Sequence, residues 1–197
     1  MSKKMIEMYF GSPLYEAYLS SALERSGIGN IILSRRTAGG MIAGVIFLCD
    51  HYCLGVKDCT PFLESEAGYR SLYRRIDESE HLIAVDPGTF KHYITGLVRW
   101  TRDLGIEPGS QYRFCAQILI GIEENATTTF HYGKDGMPFY INGPHETPRQ
   151  IMEIVNKLMA YKARTGNEVH FSIIGPVVEQ LPAEFLDQVP ELKILPE

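Results

Sequence analysis

Met41-Ile42-Ala43-Gly44-Val45-Ile46-Phe47-Leu48-Cys49 is apolar at odd and even positions alike. A strand with one wet face alternates apolar and polar residues, so a run apolar on both parities is expected of a central strand covered on both faces. The run is about half of the ~20 residues that a membrane-spanning helix needs. Upstream, residues 30–36 read as a partner strand, and Thr37-Ala38-Gly39-Gly40 as the hairpin turn between them.

Working outward, four dipeptides share one local grammar: Ser12-Pro13, Thr60-Pro61, Asp86-Pro87 and Thr147-Pro148. Each sets a capping side chain before a proline, which suits a helix start because the first helical position needs no N–H. After Pro13, the residues Tyr15, Tyr18, Leu19, Ala22 and Leu23 fall on one stripe, with Gly27 as a stop. After Pro61 the stripe is Phe62, Tyr69, Leu72, Tyr73 and Ile76, interrupted by Ser65 and Glu66. After Pro87, Phe90, Ile94, Leu97, Val98, Thr101 and Leu104 line one face, and Gly105 ends it. After Pro148 the face is Ile151, Ile154, Val155, Leu158 and Met159, and Gln150 completes a capping box with Thr147. Residues 112–122, 127–132 and 137–141 read as a second antiparallel set, with Pro138 demoting the last to an edge, and 169–174 as a final strand. No internal repeat is expected. The pattern predicts an α+β fold: antiparallel sheets with about four helices in a two-layer arrangement. Residues 1–197 are expected to form one domain, with 175–197 a tail punctuated by Pro176, Pro182, Pro190 and Pro196.

Composition narrows the function classes. The chain has 197 residues, 45% of them hydrophobic, and a formal net charge of −5. That balance excludes a disordered chain and argues against a general binder of nucleic acid or anionic membranes. Four cysteines are too few for a disulfide framework. Met1-Ser2-Lys3-Lys4-Met5-Ile6-Glu7 meets an acid before any apolar export core forms, so a cytoplasmic location is expected. The 11 tyrosines and 9 phenylalanines make a homodimer a natural expectation, since association would bury aromatic surface.

The densest group of reactive side chains is Cys49-Asp50-His51-Tyr52-Cys53-Leu54-Gly55-Val56-Lys57-Asp58-Cys59. It reads as a strand-to-helix junction ending at Thr60-Pro61. Cys49, His51, Cys53 and Cys59 are metal-ligand types. Same-face strand neighbours lie ~6.6 Å apart along the chain, though, and only a bend would bring them onto one ion. Cys53 beside His51 and Lys57 has the neighbours that activate a nucleophilic thiol. Against both stands burial of the cysteines as small hydrophobes, with Asp50 seeking Lys57, Arg35 or Arg36 as its partner. Glu66, facing a packed stripe, is a candidate acid with a raised pKa or else a first-turn residue that suits the helix dipole. His145 precedes the Thr147 cap, where a helix terminus can hold an anion. Arg70, Arg74 and Arg75 read as a solvated helix face.

The stretch from Gly44 to Asp58 resembles a group of uncharacterised bacterial proteins that share the signature Asp-x-x-Cys-Leu-Gly-Val-Lys-Asp, met here as Asp50 to Asp58. Arg102-Asp103-Leu104-Gly105-Ile106 and Tyr132-Gly133-Lys134-Asp135-Gly136-Met137-Pro138 are similar to the same group, as are Gly143-Pro144 and Thr147-Pro148-Arg149. The resemblance implies no activity. Its pattern includes Cys53 but not Cys49, His51 or Cys59, which moves the expected binding residues to Asp50, Cys53, Lys57 and Asp58. There is no P-loop, dinucleotide fingerprint, serine elbow or His-x-x-x-His pair, and no cofactor is expected. The leading expectation is a non-enzymatic module that binds a small molecule or a protein through residues 50–58. The alternative is a small hydrolase or transferase using Cys53, or using Asp50, Asp58 and Glu66 with a metal.

Overall fold

The computed structural model describes residues 9–188 and 193–195; the amino-terminal stretch that bears on targeting lies outside them. The apolar run becomes β3 (Ile42–Asp50), paired antiparallel with β2 (Ile28–Arg36) and with β4 (Gly55–Glu64). β1 (Leu14–Ser20) and the short β5 (Leu82–Ala84) complete a five-stranded sheet in the order β4-β3-β2-β1-β5. Its strands present odd positions to one core and even positions to another. Ile31, Leu33, Val45 and Phe47 pack with Phe90, Ile94 and Leu97 of α3 (Pro87–Asp103). Ile32, Ile42 and Phe62 pack with Tyr69 and Ile76 of α2 (Glu66–Glu80). Both faces are therefore covered, which is why β3 is apolar throughout. The fold is α+β around an antiparallel sheet, as expected.

Two of the four capped prolines begin helices. Asp86 accepts from the backbone N–H groups of Gly88 and Thr89 at the start of α3. Thr147 and Gln150 form the reciprocal capping box of α5 (Pro148–Thr165). The other two lead into strands. Ser12-Pro13 precedes β1, and only a five-residue α1 (Ala22–Ser26) follows, ended by Gly27 at φ 79°. An irregularity in the β1–β2 pairing between Leu14 and Ala17 breaks the period of two, so buried Ala17 and Ser20 fall three apart, like a helix stripe. Thr60-Pro61 lies inside β4. This strand is the sheet edge, where a missing N–H costs no ladder bond if it points outward. The α2 helix starts later, at the Ser65 cap.

The expected second antiparallel set is not formed. Residues 112–119 coil into α4 (Tyr112–Cys115) and a 3₁₀ turn (Ala116–Leu119). The guanidinium of Arg35, 6% exposed, donates to the carbonyls of Ile118, Ile120 and Ser12, so its charge is fully engaged. Residues 127–132 carry no strand. β6 (Phe139–Ile141) instead joins β7 (His170–Ile174) and β8 (Lys193–Leu195) in a three-stranded parallel sheet, with β6 at one edge. The connection forces this pairing: parallel strands need a crossover, and α5 supplies it. Residues 176–180 and α6 (Ala183–Gln188) are helical, so this part of the expected tail is structured. Among the described residues no helix is long and apolar enough to cross a membrane.

Candidate functional site

The tip of the β3–β4 hairpin, residues 51–54, leaves the first core and packs into a second. There Cys53 and Leu54 join Tyr140 of β6, Ile151 and Val155 of α5, and Phe171 of β7. Residues 50–58 therefore form a strand-to-strand hairpin, which corrects the expected strand-to-helix junction. Asp50 Oδ1 accepts from the N–H groups of Tyr52 at 3.0 Å and Cys53 at 2.9 Å, closing the turn with its own side chain. Gly55 returns the chain into β4 at φ 69°. Opposite Leu48 and Cys49 the pairing skips from Asp58 to Val56, which leaves Lys57 as the extra residue of a bulge. A bulge re-aims its side chain, and Lys57 Nζ lies 3.4 Å from Glu146 Oε1. Glu146 also accepts from the Tyr140 hydroxyl.

Burial raises the Asp50 carboxyl from 3.8 to about 6, against the lowering effect of its backbone donors and of Lys57. Neither Arg35 nor Arg36 reaches it; Arg36 pairs with Glu66 at 3.0 Å. His51 is buried and structural. Its Nε2 lies 2.9 Å from the His131 carbonyl, which can only accept, so a neutral ring carries its proton there and Nδ1 accepts from Tyr93 at 3.1 Å. Burial lowers its pKa and favours this neutral form.

The thiol expectations fail on burial. Cys53 is 0% exposed, and desolvation pushes its pKa well above the ordinary value. A nucleophile requires the opposite. Cys49 and Cys59 belong to the first core and Cys53 to the second, so the four metal-ligand types do not converge. Among the described residues no three His, Cys, Asp or Glu side chains are placed to hold a metal. All four thiols are buried, so a disulfide-exchange reagent should label none of them in native buffer and four after denaturation. Fast labelling of Cys53 without unfolding would refute this arrangement.

Glu66 is a first-turn residue of α2, and the Arg36 guanidinium and Tyr15 hydroxyl hold its pKa below the ordinary value. It follows Glu64, which pairs with Ile42, whereas Asp50 pairs with Gly55. At ~3.3 Å per residue the two ends of this hairpin are roughly 26 Å apart, too far for Asp50 and Glu66 to share an ion. Asp58 is exposed, and its carboxylate accepts from Cys59 N–H at 2.8 Å. His145 is exposed, and the first turn of α5 is served by its own capping box.

A cleft of about 240 Å³ opens beside the hairpin, lined by Gly27, Asp50, Tyr52, Lys57, Phe139 and Asn142 among others. Three segments meet in it: the turn between α1 and β2, the hairpin, and the loop that leaves β6. A larger cavity of about 790 Å³ shares Asn142, Gly143 and Pro144 as a wall and extends over Ile174, Gly175 and Pro176. It lies at the carboxyl ends of β6 and β7, where open parallel sheets commonly bind ligands. Asn142 holds these ends together: its Nδ2 donates to the Ile174 carbonyl at 3.1 Å, and its Oδ1 accepts from Ile174 N–H at 2.7 Å. Tyr140, Asn142 and Glu146 are the site residues that sequence reasoning passed over. The available signal was Gly-Pro directly after two apolar segments, at Gly143-Pro144 and Gly175-Pro176. Comparison with known proteins finds no matching family model, no matching curated protein and no matching solved structure.

Proposed function

We propose that this chain is a binding module whose ligand is a small molecule seated in the cleft between the β3–β4 hairpin and the loop leaving β6. One observation carries the reading: a buried carboxylate, Asp50, forms part of the wall of an open cleft built by three separated segments. Core carboxylates are costly to keep, and a site that faces an opening gives that cost a use. The walls are otherwise aromatic and aliphatic with few polar groups, the usual make-up of a small-ligand site. Reaction chemistry finds less support, because Cys53 is sealed and Glu66 lies at the far end of the hairpin.

The test is a thermal-shift screen of the whole chain against small molecules of mixed charge, followed by calorimetry on each hit. Ile141 is 38% exposed and lines the cleft. Ile141→Trp should therefore fold normally, fill the cleft and weaken any hit at least tenfold. Hits that bind the variant as tightly as the parent chain would place the ligand elsewhere. A screen without hits, alongside saturable binding of a protein that Ile141→Trp abolishes, would replace the small molecule with a macromolecular partner.

A further inference from the structure

We propose that the ligand of this cleft carries a primary ammonium, seated against Asp50, on a compact apolar or aromatic body. The inference rests on the binding reading above and names its ligand class.

Among the described residues Asp50 has no cation of its own at this cleft. The cleft lining holds one carboxylate, Asp50, and one amine, Lys57, and the partner of Lys57, Glu146, is not part of that lining. Lys57 is engaged with Glu146 at 3.4 Å, and among the described residues Asp50 makes no ion pair. Its hydrogen-bond partners are backbone N–H groups. Both of those groups meet Oδ1 and bring no net charge, so a monocation completes the site. Burial raises the Asp50 pKa, and the charge of Lys57 only partly offsets it.

The walls suit the same ligand. The rings of Tyr52 and Phe139 lie 6.4 Å apart and are tilted by 49°. Aromatic faces attract ammonium groups, and Lys134 Nζ already stands 4.7 Å from the Phe139 centroid. Ile28 and Ile141, both more than a third exposed, provide an apolar rim. Ser26, which also lines the cleft, donates its hydroxyl proton to the Ala22 carbonyl at 2.9 Å, leaving its oxygen able to accept from an ammonium.

Volume sets the scale. A cleft of about 240 Å³ has room for about eight waters, which suits a ligand of about as many non-hydrogen atoms. An anionic ligand would meet the Asp50 carboxylate beside an amine already engaged with Glu146.

The experiment titrates the full chain at pH 7.5 with three compounds of one body: phenethylammonium, 2-phenylethanol and 3-phenylpropionate. The ammonium should saturate at least tenfold more tightly than the alcohol, and the carboxylate should bind least. Asp50→Asn should cut ammonium affinity at least tenfold and leave the alcohol unchanged. Lys57→Met, which removes the competing cation, should raise ammonium affinity about threefold, the opposite sign. Equal binding of ammonium and alcohol, or ammonium affinity indifferent to Asp50→Asn, overturns this inference and leaves the binding reading standing. Failure of all three compounds, alongside a hit of another class in the wider screen, does the same. No binding in either experiment removes both.

Discussion

Gly55→Ala should cost this protein about 2–4 kcal/mol of stability in chemical denaturation. Gly55 sits at φ 69°, a conformation that costs an L side chain roughly 1–2 kcal/mol. A Cβ there would also stand 2.7 Å from Thr101 Cγ2, on a side chain that is 0% exposed. Thr101 lies on α3, buried between the hairpin and the helix, so it cannot swing into solvent, and overpacking adds roughly 1–3 kcal/mol. Gly40→Ala is the control. Gly40 has φ 78° but nothing within 4 Å of its Cβ position, so only the backbone cost of about 1 kcal/mol applies. Equal losses in the two variants would show that the hairpin does not press on α3.

Asp50→Asn should behave in the opposite sense and make the protein more stable at neutral pH. The folded state holds this carboxyl at about 6 against an ordinary 3.8. Below the ordinary value both folded and unfolded chains keep the proton. Between the two values only the folded chain keeps it, so the stability this group contributes is fully present at low pH and is lost as pH rises through about 6. Above that, the folded chain carries a buried ionised carboxylate, at a cost of roughly 3 kcal/mol at about 1.4 kcal/mol per tenfold. The Asn variant mimics the protonated form and can still accept from Tyr52 and Cys53. Its gain should be on the order of 2–3 kcal/mol above pH 6.5 and fade toward pH 4. Cys49, Cys53, Tyr93 and Tyr140 face Asp50 with pKa values raised by burial, so they stay neutral across this window. Differencing the two pH curves removes the contribution that His51, whose pKa burial lowers, makes to both chains. A variant less stable than the parent at pH 7 would mean that Asp50 is held as a well-satisfied anion.

The two results together give physical content to the residues from Asp50 to Asp58. Asp50 closes the turn, Cys53 plugs the second core, Gly55 turns the backbone and Lys57 fills a bulge. Residue for residue, this stretch is largely the recipe of a hairpin. The carboxylate of Asp50 and the amine of Lys57 also line the cleft.

How far the sequence could be read depended on how local the deciding interactions are. Caps and stripes placed α3 and α5 because Asp86 and Thr147 act within their own first turns. The same dipeptide grammar failed at Ser12-Pro13 and Thr60-Pro61, where pairing to β2 and β3 outweighs a local preference. Residues 112–122 read as a strand on composition, yet Phe114, Cys115, Ile118, Leu119 and Ile122 are buried at helical spacing. That spacing was visible, but two short turns are easily outweighed by β-forming residue types. The candidate site was half legible. Asp50 and Lys57 stand out in the chain, whereas Tyr140 and Glu146 join them only through an edge strand and a loop almost ninety residues downstream, a distance no local pattern spans.

Trp100 is the sole tryptophan of the chain, and it packs against both the core under the large sheet and the core around α5. Its indole is thus a native fluorophore at the seam of the two packings. The emission of the unmodified protein reports on the joint between them and needs no introduced label.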